Sequence, residues 1–177
     1  MDFKKILKVI SDVLLALVLI VAFLFYGVRI FGFTPYTVLS GSMERVYPTG
    51  SIIYVRDVEP ETLDINDVIT FKMKNGVVAT HRIVGFVEDE NNRNLIYFQT
   101  KGDENEVVDG NIVKYEDVIG KPVFHIPYLG YAATFIIQPI GRIVAILVGI
   151  ALVLVEIIIG MILDDENDKK EKRERTV

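Results

Sequence analysis

Apolar residues crowd the two ends of the chain and alternate with polar ones through its middle. Val13 to Val28 reads VLLALVLIVAFLFYGV with no charge, and Arg29 precedes the apolar IFGF. At about 1.5 Å per helical residue, the stretch from Val13 to Phe33 covers about 30 Å, one hydrocarbon core. Arg29 lies close enough to its end to snorkel to the interface. A second run, IVAILVGIALVLVEIIIGMIL from Ile143 to Leu163, carries Glu156 as its single charge. These patterns predict a short N-terminus over 1–12, a transmembrane helix over 13–33, an external domain over 34–138, a second transmembrane helix over 139–163 and a charged tail over 164–177. The tail mixes both signs, as a frayed helix or disordered end does.

The middle segment has the period of β structure. SIIYV (Ser51 to Val55), DVITFKM (Asp67 to Met73), VVATHRIVGFV (Val77 to Val87) and LIYFQTKGD (Leu95 to Asp103) read as strands. Asn75-Gly76 marks a tight hairpin between the second and third of these, and ENNRN (Glu90 to Asn94) marks a further turn. Pro60 to Ile69 reads as a loop or a turn of helix. Phe124 to Arg142 is apolar and broken by Pro127 and Pro139, which suits a segment skimming a membrane surface. The predicted class is mostly β: a small antiparallel β domain on the membrane surface, flanked by an N-terminal and a C-terminal transmembrane helix.

Charge then sets an orientation. Lys4, Lys5 and Lys8 precede the first apolar run, and five basic residues lie in KKEKRERTV after the second. Basic flanks stay on the cytoplasmic side, so both termini are expected inside and the middle outside, in a multi-pass protein of the cell membrane. No small-x-small site follows the first run, which is therefore read as an uncleaved anchor. Thr34 to Gln138 holds nine basic and fifteen acidic residues, a net of −6, which argues against a nucleic-acid partner. The 177 residues include no cysteine, so disulfides, thiolate nucleophiles and cysteine-bound zinc are excluded.

Groups able to do chemistry near neutral pH are few. Of the two histidines, His125 lies between Phe124 and Ile126 in the apolar stretch, where an interfacial role fits. His81 shares one strand face with Val77, Ala79 and Ile83. Such a histidine is ordinarily a satisfied core residue; the alternative is a general base. Thr100 to Gly110, TKGDENEVVDG, supplies Asp103 and Asp109, and either carboxylate could orient His81. Val107-Val108 could tuck into the core and aim Asp109 back at that ring. A metal site from His81, Asp103, Glu104 and Asp109 is disfavoured, because no metal-binding register is present. Just beyond the first apolar run, VLSGSMERVYPTG (Val38 to Gly50) offers Ser42 between Gly41 and Met43, with Ser40 two residues earlier. Ser-Gly-Ser alone is an ordinary turn. Beside a base, the Ser40 hydroxyl and the Ser42 N–H could also donate to an oxyanion.

The order of these segments carries more than any one of them. SGSME (Ser40 to Glu44), DVITF (Asp67 to Phe71), HRIV (His81 to Val84) and KGDENEVVD (Lys101 to Asp109) together resemble the signal peptidase I family. The likeness is to the branch of archaea, the endoplasmic reticulum and some spore-forming bacteria, in which a histidine replaces the lysine of ordinary bacterial enzymes. It extends from about Val38 to Tyr131.

That resemblance implies a serine endopeptidase of the Ser-His-Asp type that cuts signal peptides from exported precursors after a small-x-small motif. It makes Ser42 the nucleophile, His81 the general base, Asp109 the third catalytic member and Asp103 a supporting acid, with Ser40 and Ser42 forming the oxyanion hole. It implies no cofactor and no metal. The partners it implies are signal-peptide-bearing precursors and the lipid bilayer, and it leaves the secretion translocon open as a further partner. One departure is local: the family usually reads Ser-Gly-Ser-Met-Glu-Pro, and here Arg45 stands in place of the proline that would stiffen the turn. Two other readings compete: a lysine base drawn from Lys72, Lys74 or Lys101, and a membrane-anchored envelope module that binds a partner and cuts nothing.

Overall fold

A computed structural model describes residues 3–88 and 96–175 of the chain, so the turn expected at Glu90 to Asn94 lies outside the described residues. The chain forms two compact units: one from Val28 to Thr134, the other from the two flanking chain ends.

The flanking unit is helical. Helix α1 runs Phe3–Tyr26 and helix α3 runs Pro139–Glu174. Ile6–Phe31 and Pro139–Ile162 are each long and apolar enough to cross a membrane, and protein covers few of their side chains. The first helix differs from the expected 13–33 span at both ends. It takes in the lysine-bearing start, and after Tyr26 it tightens into a 3-10 turn over Gly27–Phe31. Gly32 then adopts a φ of 77°, and the chain leaves as a strand at Phe33. The second helix does not stop at Leu163 but continues through the charged tail to Glu174. Where α1 meets α3, Ser11 and Ile159 are buried, and Lys8 Nζ lies 3.6 Å from Glu156 Oε2. The lone acid of the second run therefore faces a cation on the neighbouring helix.

The central unit is a six-stranded antiparallel sheet in the order β1-β2-β6-β3-β4-β5. The strands are β1 Phe33–Thr37, β2 Ile52–Arg56, β3 Val68–Lys72, β4 Val78–Glu88, β5 Ile96–Lys101 and β6 Val118–Ile126. The four expected strands are present within a residue or two. The β3–β4 hairpin closes through Met73 N–H to Val77 O, with Gly76 at φ 81°. Pro60–Thr62 forms a single 3-10 turn.

Two strands escaped the hydrophobic pattern. The start of β1 falls inside the run read as helix, and its Pro35 is tolerated because β1 is an edge strand. β6 is interrupted by Gly120 and Pro122. Gly120 has a φ of 149°, and a Cβ there would lie 2.0 Å from the Arg56 carbonyl oxygen. At that bend β6 changes partner: Val118 and Gly120 pair with β3, and Lys121 to Ile126 pair with β2. The Phe124–Arg142 stretch comprises the end of β6, then helix α2 (Leu129–Ile137), then the start of α3. His125 pairs with Ile53 across β2–β6, and its ring meets Tyr47 edge-on at 5.6 Å.

Among the described residues, two apolar clusters stabilise the sheet. Leu63, Ile69, Phe71, Ile83, Phe98 and Val113 form one, and Met43, Tyr47, Ile53 and Val55 form the other. Burying each such side chain contributes about 1.5–3 kcal/mol before the entropy of ordering is set against it. The second cluster reaches into the Ser-Gly-Ser-Met turn through Met43, and the first ends beside His81.

Candidate active site

Ser42 sits on a single 3-10 turn, Gly41–Met43, just after the edge strand β1. A turn this short has little stability of its own, so its neighbours must hold it. Met43 is buried in the core, and Val46 and Tyr47 return N–H bonds to its carbonyl oxygen. The Glu44 carboxylate accepts bonds from the Thr49 hydroxyl at 2.6 Å and the Thr49 N–H at 3.0 Å, which hold its pKa below the usual glutamate value. The stretch from Gly41 to Thr49 is thus closed into a compact loop with Ser42 at its surface.

His81 stands mid-way along β4, opposite Ile69 of β3, with the edge of the Phe71 ring near its imidazole. Its Nε2 is 3.1 Å from Ser42 Oγ, and its Nδ1 is 2.6 Å from Asp109 Oδ2. A carboxylate only accepts, so Asp109 fixes the ring proton on Nδ1 and leaves Nε2 free to accept from the serine hydroxyl. Ser40 Oγ lies 3.4 Å from Ser42 Oγ. An open groove of about 430 Å3 runs past this line, with Val38, Leu39, Ser40, Met43 and Ala79 among its walls.

The two aspartates separate cleanly. Asp109 reaches His81, but Val107 and Val108 do not tuck into the core as expected, since both are exposed. Asp109 is aimed by β5 instead. Its N–H donates to the Thr100 carbonyl oxygen at 2.9 Å, and the Thr100 hydroxyl donates to Asp109 Oδ2 at 2.7 Å. Thr100 is fully buried, and no local pattern along the chain pointed to this role.

Asp103 faces Arg82, not His81. Arg82 Nε donates to Oδ1 at 2.8 Å and Nη2 to Oδ2 at 2.6 Å, while Nη1 reaches the Asn66 carbonyl oxygen at 2.7 Å. This two-pronged bond holds the Asp103 carboxyl below its ordinary range. The sequence did hold a signal for this pair, an arginine directly after the histidine on a strand whose alternate residues face opposite ways.

Of the three lysines, Lys72 and Lys74 are exposed to water and Lys101 is half-buried, while the nitrogen that stands against Ser42 Oγ is His81 Nε2. No three histidine, aspartate or glutamate side chains among the described residues are grouped to hold a metal ion. Asp103 is bound to Arg82, and Glu104 pairs with Arg45 at 2.8 Å.

The sequence model of the family described as signal peptidase, peptidase S26, matches residues 10–120. That range takes in Ser40, Ser42, His81, Asp103 and Asp109, and it is well over half of the chain. The chain belongs to the signal peptidase S26 family. It is 40% identical over 90 residues to Signal peptidase I W of Bacillus subtilis (strain 168), covering 50% of this chain and 46% of that protein. It is 31% identical over 101 residues to the signal peptidase complex catalytic subunit SEC11C of Homo sapiens, covering 52% of each. The matched part thus spans about half the length of the curated relatives.

In this S26-family chain, the loop carrying Asp103 and Asp109 packs directly on the serine turn. Glu104 N–H donates to the Ser42 carbonyl oxygen at 3.0 Å. A Cβ on Gly102 would meet Ser42 O at 2.8 Å and Ser42 Cβ at 2.9 Å. Gly102→Ala is therefore expected to push Ser42 away from His81. Overpacking of this kind costs about 1–3 kcal/mol, so a fall in melting temperature should accompany the loss of any activity that needs Ser42. Melting and turnover unchanged from wild type would show that the loop has room to move.

Proposed function

We propose that the chain is a membrane-bound serine endopeptidase that removes signal peptides from exported precursor proteins, cutting after a small-x-small motif on the outer face of the cell membrane. The observation that carries this reading is the line from Ser42 Oγ through the His81 ring to Asp109 Oδ2, with contacts of 3.1 and 2.6 Å. Membership of the S26 family and two helices fit to cross a membrane point the same way.

Ser42 is the nucleophile in this reading. His81 Nε2 takes the hydroxyl proton as Oγ attacks the scissile carbonyl carbon. Asp109 stabilises the imidazolium that forms. The oxyanion is met by the Ser42 N–H and the Ser40 hydroxyl. Collapse of the tetrahedral species breaks the C–N bond, and His81 returns its proton to the departing amine of the mature protein. Water, activated by the same ring, then releases the signal peptide from Ser42. Asp103 supports the site through Arg82. No metal or cofactor takes part. The precursor arrives as a membrane helix whose cleavage site emerges at the bilayer surface, and the apolar groove takes its small side chains.

The test is incubation of the detergent-solubilised full chain with a signal-peptide-bearing precursor, followed by sequencing of the new N-terminus. Cleavage after a small residue, lost when that residue is made bulky, is the expected result. An intact precursor across a range of such substrates would favour an envelope module that only binds. Orientation has its own test. Reporter fusions at both ends of the full chain should be shielded from protease added outside intact cells. An accessible C-terminal reporter would mean that Pro139–Ile162 does not cross the membrane.

A further inference from the structure

We propose that Arg45 and Glu104 form a latch that positions Ser42 for attack. The proposal rests on the reading of Ser42 as nucleophile. Three observations on two chain segments support it. Arg45 Nε lies 2.8 Å from Glu104 Oε1. The Glu104 backbone N–H donates to the Ser42 carbonyl oxygen at 3.0 Å. Gly102, two residues before Glu104, passes so close to Ser42 that a side chain there would collide with it.

The serine turn and the 102–105 loop are therefore joined three times: through backbone at Ser42, through the Asp103 N–H to Met43 Sδ at 3.3 Å, and through side chains at Arg45. The backbone bond fixes the distance between the two segments. The Met43 contact sits one residue from that bond on both segments and gives a short lever arm. The ion pair, three residues past Ser42, gives a longer one and so adds most to the resistance against a twist. Rotation is the coordinate that matters. Swinging the turn about the Glu104–Ser42 bond would move Ser42 Oγ along or away from His81 Nε2, and displacements of about 1 Å can cost a hundredfold in rate. Glu44 does not supply this link, since its carboxylate bonds only within the turn, to Thr49. Arg45 itself is three residues past Ser42 and has no place at the reacting atoms, so it acts as a positioning residue.

The latch is weak by design of its surroundings. Arg45 is 82% exposed and Glu104 30%, so salt should screen their attraction. That gives the proposal a signature that a purely structural contact lacks. Arg45→Ala should lower kcat about three- to tenfold with KM within twofold, with an unchanged melting temperature, because an exposed pair contributes little to stability. Raising salt from about 0.05 to 1 M should bring wild-type kcat toward that of the variant while leaving the variant flat, since the screening length shrinks to about 3 Å. Glu104→Gln should reproduce both effects. The exchange pair, Arg45→Glu with Glu104→Arg, should recover most of the lost rate. Amide hydrogen exchange over residues 41–46 in the solubilised full chain should quicken in Arg45→Ala, whatever the activity. Ser42→Ala runs beside these as a control. If wild type and Ser42→Ala cleave alike, the nucleophile assignment fails and the exchange data alone judge the latch. If wild type cleaves, Ser42→Ala does not, and Arg45→Ala matches wild type in kcat, salt response and exchange, the latch is overturned.

Discussion

Ser42→Ala should reduce precursor cleavage by about six orders of magnitude, down to the rate that binding and oxyanion contacts alone support. Nothing else in the site can replace the lost oxygen. Ser40 Oγ is 3.4 Å from Ser42 Oγ, but the ring nitrogen that accepts a proton is bonded to Ser42. The fold should be untouched, because Met43, not Ser42, anchors the turn in the core. His81→Ala should fall almost as far, and His125→Ala should stay near wild type, since its ring packs on Tyr47. Measured turnover for the three variants at fixed folded concentration decides the matter. Cleavage near the wild-type rate by Ser42→Ala would end the serine reading, and an inert His125→Ala beside an active His81→Ala would move the base.

How much of this was legible in the sequence depended on distance along the chain. The four strands with clean alternation and the Asn75-Gly76 turn were readable because period and turn chemistry are local. β1 was hidden because an apolar helix runs directly into it, and hydrophobicity alone does not say where 3.6 gives way to 2. β6 was hidden because it changes partner at Gly120, so the pattern on either side obeys a different neighbour. Of the site, the serine turn, His81 and both aspartates were visible as residue types in a suggestive order. Their geometry was not. Thr100 is an ordinary strand threonine until Asp109 folds back on it, and Arg82 is an ordinary strand arginine until Asp103 meets it. Both contacts depend on how a loop closes over the sheet, which no local spacing records.

The loop from Gly102 to Asp109 therefore has two separate tasks, and its two aspartates should fail differently. Asp109 Oδ2 receives two donors at once, His81 Nδ1 at 2.6 Å and the Thr100 hydroxyl at 2.7 Å. In Asp109→Asn a carbonyl oxygen can still accept both, but it carries no charge to stabilise the imidazolium. If the amide turns its NH2 toward the ring instead, the ring proton moves to Nε2, which then donates to Ser42 and no longer accepts from it. Either orientation damages the base, so turnover should drop by about three to four orders of magnitude. Stability should change little, because the shape and the Thr100 bond survive. Asp103→Asn should behave otherwise. Its carboxylate holds the Arg82 guanidinium with two bonds, and a neutral amide loses the charge-assisted part of both, costing about 1–3 kcal/mol. The melting temperature should fall, and activity with it, as the loop and β4 loosen around Ser42 and His81. Acid should show the same division. The Asp103 pKa is lowered in the folded chain by its bonds to Arg82, so the stability it contributes is present above the unfolded value of about 3.9 and is lost as pH falls through the lower folded value. Wild type should therefore lose melting temperature in strong acid more steeply than Asp103→Asn does. Turnover, melting temperature and its acid slope for the two variants side by side settle the assignment. A fully folded but dead Asp103→Asn beside an active Asp109→Asn would make Asp103 the partner of the base and leave Asp109 as scaffold.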